Sequence, residues 1–416
     1  MTHSNRLALS SACLLALTSI SHASGFRIPE TSIKSVGLIA ANVANAHGAD
    51  ASYYNPAAMA FNEDKAFMEG SLMLFHLGEF SYSGQLTDAL GSRAISESSK
   101  VQNIPAGGFH YVSPTVNDWR FGLSVISPFG LTVEWDSPEA SAYAEKFSLL
   151  TLELNPTFSY KLSDQLSIGG GLRAIYSDGE VKSSTTTPVN IARDLSGDSW
   201  DYGYNLALAY RPNDDISLAV TYRSKVDLSL EGDADLTFVA PIYSGFGSID
   251  VVTPEVLTLA AAFDLSDNTT IEIVWDRTYW SDYKSLDFEY AVPLTGPAFT
   301  AFDAPKARNW QDTDAFRIGV THALNDQWDL LFGYTRDEAA TPDSTVSFEL
   351  PDADANVFSV GAIYQYSDTM KIGAAMLASF REDRTINNAA SSTPVLAGEF
   401  SSDPGLVTSV GFEMSF

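Results

Sequence analysis

The stretch LTLELNPTFSYKL, residues 150–162, decides the fold class of this chain. Apolar or aromatic residues occupy almost every second position from Leu150 to Leu162, and Thr, Glu, Asn, Ser and Lys stand between them. Successive side chains of a β-strand point to opposite faces, so this period of two predicts a strand with one apolar and one polar face. The pattern therefore indicates an all-β fold.

The same alternation recurs on both sides of short polar breaks, whose aspartates are 42 to 59 residues apart. Asn, Asp, Ser and Pro, which favour tight turns, form these breaks. They are Asn117-Asp118, Ser163-Asp164, Pro212-Asn213-Asp214, Ser266-Asp267-Asn268, Asn325-Asp326 and Ser367-Asp368. A single long period of this kind predicts a repeated hairpin.

Long, polar and acidic connections separate the hairpins. We expect them near residues 83–99, 136–147, 183–198, 232–248, 286–311, 338–354 and 383–400. Seven long loops and six short turns connect fourteen strands. Long strands with one apolar face fit either a large sandwich or a barrel that spans an outer membrane.

Three features favour the barrel. Short turns at one end and long loops at the other are typical of outer-membrane barrels. The chain ends in VGFEMSF, residues 410–416, an alternating strand with a terminal phenylalanine, typical of the signal read by the bacterial barrel-assembly machinery. Aromatic residues lie toward the ends of the apolar faces, as at membrane interfaces: Trp119, Trp135, Trp200, Tyr210, Trp328 and Tyr366. Because lipid-facing backbone must be fully hydrogen-bonded, we predict a closed 14-stranded antiparallel transmembrane β-barrel in a Gram-negative outer membrane.

Residues 1–23 read as a secretory signal peptide. Arg6 precedes the short apolar run Leu7–Ile20, and Ser21-His22-Ala23 is a small-x-small cleavage site. The single cysteine of the chain, Cys13, lies within this signal. The mature chain is therefore expected to start at Ser24 and to have neither disulfides nor thiol chemistry.

Charge and histidine content exclude several classes of function. The net charge is -28, and nucleic acid is a poor partner because phosphate binding requires a basic surface. His47, His76, His110 and His322 are not at metal-ligand spacing, so we predict neither an enzyme, a cofactor nor a metal site. The acidic stretch 337–354 is open to two interpretations, a Ca²⁺ site or a solvated face.

The segment 24–62 differs from the rest of the chain. It is rich in alanine, has helical potential between Ser32 and Ala46, and contains Pro56, which is unsuited to a central strand. A barrel of fourteen strands leaves a lumen wider than its own side chains fill, since about eight strands are just fillable. We therefore predict that residues 24–62 form a hatch with short helices inside the lumen, and that residues 63–416 form the barrel.

The chain resembles the FadL-like long-chain fatty acid transporters of outer membranes. The resemblance covers essentially the whole mature chain and rests on the order and spacing of its motifs. They are Ser24-Gly25-Phe26, Asn55-Pro56-Ala57, FGLSVISPFGL at 121–131, LNPTFSYKL at 154–162, AVTYRS at 219–224 and FRIG at 316–319.

The resemblance implies uptake of hydrophobic molecules by passive diffusion around a hatch, with a lateral exit through a kinked strand. Pro128, Phe129 and Gly130 interrupt the matching strand and are predicted to open the wall, although an ordinary bulge is the alternative. Asn55, Pro56 and Ala57 are predicted to form the part of the hatch that shifts.

A fatty acid has a carboxylate that requires a cation. Arg173, Arg223, Lys225 and Arg317 occupy lumen-facing registers, where each can instead pair with a lumen carboxylate. Phe26, Arg173 and Arg317 are the predicted substrate-binding residues.

Two alternatives stay open: uptake of aromatic or other hydrocarbons by the same mechanism, and a general porin or surface adhesin. Beyond the hydrophobic substrate, the predicted partners are outer-membrane lipid, lipopolysaccharide and the barrel-assembly machinery. The protein is expected to act as a monomer.

Overall fold

The computed structural model describes residues 25–186, 188–388 and 394–416. The predicted signal peptide, residues 1–23, and Ser24 lie outside the described residues. In the described part, no helix has the length and apolar character needed to cross a bilayer.

Strands make up most of the described chain. In chain order they are β1 (Phe67–Leu77), β2 (Phe80–Asp88), β3 (Gly91–Ser98), β4 (Gln102–Val112), β5 (Trp119–Ile126), β6 (Gly130–Glu134), β7 (Lys146–Lys161), β8 (Leu166–Thr185), β9 (Ile191–Asn213), β10 (Ile216–Arg223), β11 (Val226–Phe238), β12 (Ala240–Thr253), β13 (Val256–Ser266), β14 (Thr269–Thr278), β15 (Ser285–Leu286), β16 (Phe288–Tyr290), β17 (Lys306–Ala307), β18 (Thr313–Asn325), β19 (Trp328–Asp337), β20 (Ala355–Ser367), β21 (Met370–Arg381), β22 (Arg384–Asn387), β23 (Val395–Ser402) and β24 (Gly405–Ser415).

The helices are short. They are α1 (Ile33–Leu38), α2 (Ala51–Tyr54), α3 (Pro138–Ala144) and α4 (Gly296–Ala298), with 3₁₀ turns at Pro56–Phe61 and Trp280–Asp282 and a π turn at Phe299–Asp303.

Fourteen strand positions close into one antiparallel ring. Its order is β1, β4, β5, β7, β8, β9, β10, β13, β14, β18, β19, β20, β21 and β24, and β6 continues the line of β5. The ring closes because β24 pairs with β1, from Phe67 opposite Ser415 to His76 opposite Leu406. The predicted 14-stranded barrel is confirmed.

The faces of the strands follow the predicted alternation. On β7 the polar residues Thr151, Glu153 and Asn155 are buried toward the lumen, whereas Leu152 and Leu154 between them are exposed. Large exposed apolar side chains recur on the outer face of the other strands. They include Leu72, Phe109, Phe121, Ile168, Leu206, Val220, Leu259, Ile273, Phe316, Phe332, Phe358 and Val410. These residues form an apolar belt around the barrel, as burial in lipid requires.

Four of the predicted long loops are wrong because they contain paired strands. Residues 83–99 lie mostly in the hairpin of β2 and β3, and residues 383–400 include β22 and most of β23. Residues 183–198 lie mostly in β8 and β9, which continue as a hairpin to Thr185 and Ile191. Residues 232–248 lie mostly in β11 and β12, which pair with each other beyond the barrel. In this last case the alternation continues: Leu228, Leu230 and Leu236 are buried, and the residues between them are polar and largely acidic.

Trp135 is also misassigned as an interface residue. It follows β6, is fully buried among the loops, and donates its Nε1 hydrogen to the carbonyl oxygen of Phe348 at 2.9 Å. Its ring packs against the ring of Phe348 at 5.0 Å between centroids, so it stabilises the loop cluster instead of contacting lipid.

The N-terminal segment, residues 25–62, lies inside the ring. Helix α1 packs against β18, β19, β20, β21 and β24, while α2 and the 3₁₀ turn at Pro56–Phe61 pack against β4, β5, β7, β8 and β9. These strands are on opposite sides of the ring, so the segment spans the bore. Its alanines suit this position because small side chains let backbones approach closely.

Gly169 shows how close this approach is. A Cβ at this position of β8 would lie 2.5 Å from the backbone nitrogen of Ala57. The neighbouring Ser167 Oγ donates a hydrogen bond to the Ala57 carbonyl at 2.7 Å. Gly169 therefore gives the N-terminal segment room to pack directly on the backbone of β8.

Candidate functional site

The barrel wall is interrupted between β5 and β6. The ladder with β7 runs to Ile126 opposite Glu153 and resumes at Gly130 opposite Leu150, so residues 127–129 form a bulge with one extra residue. Pro128 has no backbone hydrogen to donate, which accounts for the break at this point. We call residues 127–129 the wall interruption.

Residues 26–28 bind the wall interruption from inside the barrel. The N–H of Ile28 donates to the Pro128 carbonyl at 2.8 Å, and the N–H of Gly130 donates to the Phe26 carbonyl at 2.9 Å. Arg27 and Phe129 form an isolated antiparallel bridge. The backbone groups that a neighbouring barrel strand would satisfy are thus satisfied by the N-terminal segment.

Strand β4, which borders the wall interruption, is incompletely paired. It pairs with β5 only from Phe109 to Val112, whereas its residues 102–108 pair with β1 alone. Pro105 lies in the part of β4 without a second partner, the position that a sheet edge allows to proline. The wall therefore has a gap between β4 and β6.

The gap lies at the height of the lipid-facing belt. On β7, Leu150 and Leu152 flank the level of the wall interruption and Leu154 follows on the same outer face; they are 46%, 45% and 41% exposed. An opening at this height leads into the hydrocarbon region of the bilayer.

A cavity of about 830 Å³, including space open to solvent, lies above the N-terminal segment among the extended strands and loops. Most of its lining is apolar. The lining includes Phe26, Leu131, Phe147, Leu149, Val181, Leu195, Leu230, Ile249, Val251, Tyr283, Phe288, Trp310 and Leu350. We call it the apolar cavity.

Phe26 connects the apolar cavity with the wall interruption. Its ring lies 4.9 Å from the Trp280 ring and 6.0 Å from the Phe129 ring, centroid to centroid. Gly25 has a positive φ of 60°, and a Cβ there would lie 2.8 Å from both Trp280 and Trp310. Only glycine fits this conformation beside two indole rings.

Buried charges accompany the apolar lining. Glu349 accepts hydrogen bonds from Arg308 and from Lys306, the latter at 2.7 Å. Arg193 is 5% exposed, its guanidinium lies 4.7 Å from the Phe288 ring centroid, and its Nε and Nη1 have no hydrogen-bond partner among the described residues. Arg308 and Glu349 line the apolar cavity, as does the exposed Asp233, whereas Arg193 and Lys306 lie close to this pair but outside the lining.

The ionisation of these loop residues reflects their burial. Burial lowers the pKa of Lys306 to about 8, with Arg193 and Arg308 acting in the same direction and Glu349 opposing them. Burial alone would raise the pKa of Glu349, but Arg308 and Lys306 hold it well below its usual range. Glu349 is consequently charged, and Lys306 changes charge near neutral pH.

Arg173, predicted to bind substrate, is held by the barrel wall. Glu153 pairs with Arg173 at 2.9 Å and also with Arg223, and neither arginine lines the apolar cavity. Arg223 also lies over the Tyr53 ring, 4.2 Å from its centroid. The fourth predicted cation, Lys225, is 3.3 Å from Asp282.

Arg317 has a similar environment. Its Nη1 is 2.5 Å from Asp276 Oδ2, and Arg27 binds the same oxygen at 3.1 Å. Arg317 does not line the apolar cavity either. Of the three predicted substrate-binding residues, only Phe26 lies at the cavity, and binding by any of them stays a prediction.

Polar anchors hold the N-terminal segment in the bore. Asn55 Nδ2 donates to the Val43 carbonyl at 2.9 Å, and Pro56 begins the 3₁₀ turn that ends near Phe61. Glu272 on β14 accepts the backbone N–H groups of residues 43, 44 and 45 at 2.5, 2.7 and 3.1 Å. A single wall carboxylate thereby replaces the hydrogen bonds that this loop does not make to itself.

The acidic stretch 337–354 uses its carboxylates internally. Asp352 accepts the N–H groups of Ala340 and Thr341, and Asp354 pairs with Arg336 at 3.0 Å. Within the described ranges, no group of three or more His, Cys, Asp or Glu residues is arranged to hold a metal ion.

The charged group at the apolar cavity and the edge position of Pro105 are not predicted in the sequence analysis. Arg193, Lys306, Arg308 and Glu349 are brought together from three separate connections, and no local pattern marks them. Pro105 did carry a signal, because a proline inside an alternating stretch indicates a sheet edge.

Comparison with known proteins places this architecture in a family. Residues 14–416 match the family described as "Outer membrane protein transport protein (OMPP1/FadL/TodX)". The chain is 25% identical to outer membrane protein P1 of Haemophilus influenzae, over 92% of this chain and 93% of that protein. It is 22% identical to the long-chain fatty acid transport protein of Escherichia coli, over 78% and 79% of the two chains.

Solved structures share the fold. A FadL homologue of Pseudomonas aeruginosa matches with a TM-score of 0.82 at 19% identity, over 94% of this chain and 99% of the other. The toluene transporter TodX of Pseudomonas putida matches with a TM-score of 0.72 at 17% identity, over 94% and 99%. The family and the fold are those of transport channels. The resemblance found in the sequence is confirmed: this chain belongs to the OMPP1/FadL/TodX family of outer-membrane transporters of hydrophobic compounds.

Proposed function

We propose that this protein takes up long-chain fatty acids by passive diffusion, through a hatch-plugged barrel with a lateral exit. The observation that carries the proposal is an apolar cavity lined by Arg308, whose Nε has no hydrogen-bond partner among the described residues, with Lys306 and Arg193 close to it but outside the lining. A ligand that satisfies both features has a long apolar part and an anionic head.

The apolar part supplies most of the binding free energy. Burial contributes about 0.8 kcal/mol per CH₂, so a chain of a dozen or more methylenes strongly favours the cavity over water. The head gives specificity, because a charged hydrogen bond contributes about 1.5–3 kcal/mol and an unpaired buried guanidinium is unfavourable.

The relatives include transporters of two kinds of substrate. One relative is named a long-chain fatty acid transport protein, and one structural neighbour is a toluene transporter. An aromatic hydrocarbon by the same route is therefore the second candidate. The buried cations favour the acid, since a hydrocarbon in the cavity would leave Arg308 Nε without a partner.

The proposed route runs from the apolar cavity past Phe26 to the wall interruption. Residues 24–62 act as the hatch in this proposal. A shift near Asn55-Pro56-Ala57 frees residues 26–28 from Pro128 and Gly130. The ligand then leaves sideways through the gap between β4 and β6. Lateral exit keeps the apolar tail away from the polar inner wall of the lower barrel.

Assembly and surroundings complete the proposal. Strand β24 ends at Ser415, and the ring of Phe416 after it is 65% exposed, an arrangement suited to recognition by the barrel-assembly machinery. The apolar belt is proposed to contact outer-membrane lipid and the acyl chains of lipopolysaccharide.

Substrate class is tested in a strain that lacks its own fatty acid and hydrocarbon transporters. Expression of this protein should restore uptake of radiolabelled oleate, and uptake of toluene should stay at the level of the empty vector. The reverse pattern would favour the hydrocarbon. High steady conductance to small ions in planar bilayers would instead indicate a general porin.

Replacement of Arg193 tests the head-group site. Arg193→Met keeps an unbranched apolar stem, and it removes the guanidinium that lies over the Phe288 ring and has two unpartnered nitrogens. We expect oleate affinity of the purified protein to fall about tenfold or more, as the loss of a charged hydrogen bond predicts. Oleyl alcohol, which has the same tail without the charge, serves as the matched ligand. An equal loss for acid and alcohol would contradict a head-group role.

The pH dependence of binding follows from Lys306. Its pKa is lowered to about 8, so it is charged below this pH and neutral above it. A carboxylate ligand favours the charged form, so oleate affinity should decrease as the pH rises from 7 to 9, and bound oleate should raise the lysine pKa. Isothermal titration at several pH values measures this. Lys306→Arg, which stays charged, should bind with nearly constant affinity; a wild-type profile in this variant would exclude Lys306 as the titrating group.

A further inference from the structure

A second break in the barrel wall lies far from the first in the sequence. The ladder of β9 with β10 ends at Asn205 opposite Arg223, and the ladder of β9 with β11 begins at Asp198 opposite Glu231. Residues 199–204 and 224–230 between these points are outside the ladder. We call these two facing stretches the seam.

Few bonds cross the seam. The N–H of Ser224 donates to the Tyr204 carbonyl at 2.9 Å, and the Tyr204 N–H donates to Ser224 Oγ at 2.9 Å. Further along, the Ser229 N–H reaches a side chain, Asp201 Oδ2, at 3.3 Å. Between these contacts, side chains close the wall in place of a backbone ladder.

A glycine permits this closure. A Cβ on Gly203 would lie 2.7 Å from both Ser224 Oγ and Val226 Cγ2, so these two side chains occupy the space that a side chain at 203 would need. Arg173 Nη1 donates to the Ser224 carbonyl at 2.6 Å and fixes this strand from behind. Arg173 thus has a role in the wall.

The seam separates an aromatic outer surface from an apolar interior. Outside, Trp200, Tyr202 and Tyr204 are 53%, 74% and 47% exposed, as expected of rings at a membrane interface. Lys225 and Asp227 form an exposed ion pair on the facing stretch, so the seam lies at the boundary between lipid and water. Inside, Val226 and Leu228 belong to the same apolar cluster as Phe26. The neighbouring residue of this row, Leu230, lines the apolar cavity.

We propose that the seam is a second lateral port, through which ligand dissolved in the outer leaflet enters the apolar cavity. The ligand class is the one proposed above, a long-chain amphiphile, and the inference rests on that proposed function. The aromatic rings outside accommodate the head region of such a molecule, and the apolar row inside receives its tail. The side-chain closure can separate without the loss of a backbone ladder.

A disulfide across the seam tests the proposal. The Cβ built at 203 lies 2.7 Å from Ser224 Oγ, close to the roughly 3 Å between the Cβ of one cysteine and the sulfur of its partner in a disulfide. We therefore choose Gly203→Cys with Ser224→Cys. The mature chain has no competing thiol, since Cys13 lies in the predicted signal. The control is Ser81→Cys with Ser98→Cys, two exposed ladder partners on β2 and β3 whose hydroxyls are 2.9 Å apart.

The measurement uses purified protein in vesicles and a stearic acid that carries a diazirine. The ligand is supplied either on albumin in the external water or already dissolved in the outer monolayer, and light-induced labelling of cavity residues is followed by mass spectrometry. The oxidised seam pair should slow labelling from the monolayer at least fivefold, leave labelling from water unchanged, and recover after reduction. The oxidised control pair should leave the rate of labelling unchanged, both from the monolayer and from water.

Other outcomes decide against the port. Unchanged labelling from the monolayer would show that ligand does not use the seam, and equal slowing in both arms would show only a deformed cavity. If the cysteine pair fails to assemble, Val226→Ala replaces it: loss of the side chain over Gly203 should speed labelling from the monolayer, and an unchanged rate overturns the proposal. Absence of labelling from water in the wild type would instead refute the proposed function itself.

Discussion

Uptake of oleate is expected to fall at least tenfold when Pro128 and Gly130 are both replaced by valine. Valine favours strands and can donate to a ladder, so Pro128→Val removes the cause of the break. A Cβ at position 130 would lie 3.0 Å from Ile28 Cδ1, so the second change also displaces the segment that binds the wall interruption. Both changes favour a continuous strand next to β4 and close the gap through which we propose that ligand leaves.

The experiment requires a control substitution in another strand and a check that each barrel has assembled. Leu259 faces lipid within a part of β13 that is laddered on both sides, so Leu259→Val is the control substitution. Surface expression and heat-modifiable migration on gels establish that each barrel has formed. Normal oleate uptake by a well-assembled Pro128→Val, Gly130→Val protein would exclude the wall interruption as the exit, and the ligand would then have to leave through the axis of the barrel.

Glu272→Ala is expected to unplug the barrel. The carboxylate accepts three backbone N–H groups from residues 43–45, and its loss leaves these donors unsatisfied in the bore. A buried donor without a partner costs about 1–3 kcal/mol. A total on the order of 3 kcal/mol would raise the population of the displaced segment about a hundredfold. Frequent large conductance steps in planar bilayers should follow, with entry of small hydrophilic antibiotics into cells.

Graded variants distinguish this anchoring from a general loss of stability. Glu272→Gln retains one acceptor oxygen and should produce an intermediate frequency of conductance steps. Glu180→Gln, which alters an ion pair with Lys146 outside the bore, should behave as the wild type. A wild-type frequency of conductance steps in Glu272→Ala would show that other contacts hold the N-terminal segment.

The sequence predicted the barrel because its physical cause is local. A strand such as β7 must present apolar residues to lipid and polar residues to the lumen at every second position, and this requirement is visible in 150–162. The turns were equally readable, since Asn and Asp are favoured where the backbone reverses. The count of fourteen followed from these two patterns.

The misplaced loops show the limit of composition as a guide. The stretch after Lys225 alternates as regularly as β7 does, but beyond the seam its outward residues include Glu231, Asp233 and Asp235 because they face water above the membrane. The acidic composition of this stretch predicts a loop, although the period of two continues through it. Trp135 was misassigned for a related reason: a tryptophan next to an apolar strand end has the same sequence context at a membrane interface and inside a loop cluster.

The sequence alone does not predict the charged part of the site. Glu349 meets Lys306 and Arg308 across about forty residues that include β18 and β19, and Arg193 approaches them from β9. Such meetings depend on how loops pack, for which no periodicity exists. The lumen-facing positions of Arg173 and Arg317 are predicted from the strand alternation. Only the structure shows that Glu153 and Asp276 neutralise these two arginines.

The position of residues 25–62 inside a closed ring has a consequence for the order of assembly. These residues precede β1, yet they touch strands on every side, and the last strand pairs with the first across almost the full length of the chain. A finished cylinder offers no way in for a folded insert of this size, so the insert must be in place while β1 and β24 are still apart. Closure is then the final event of biogenesis, and contacts so distant along the chain make it slow.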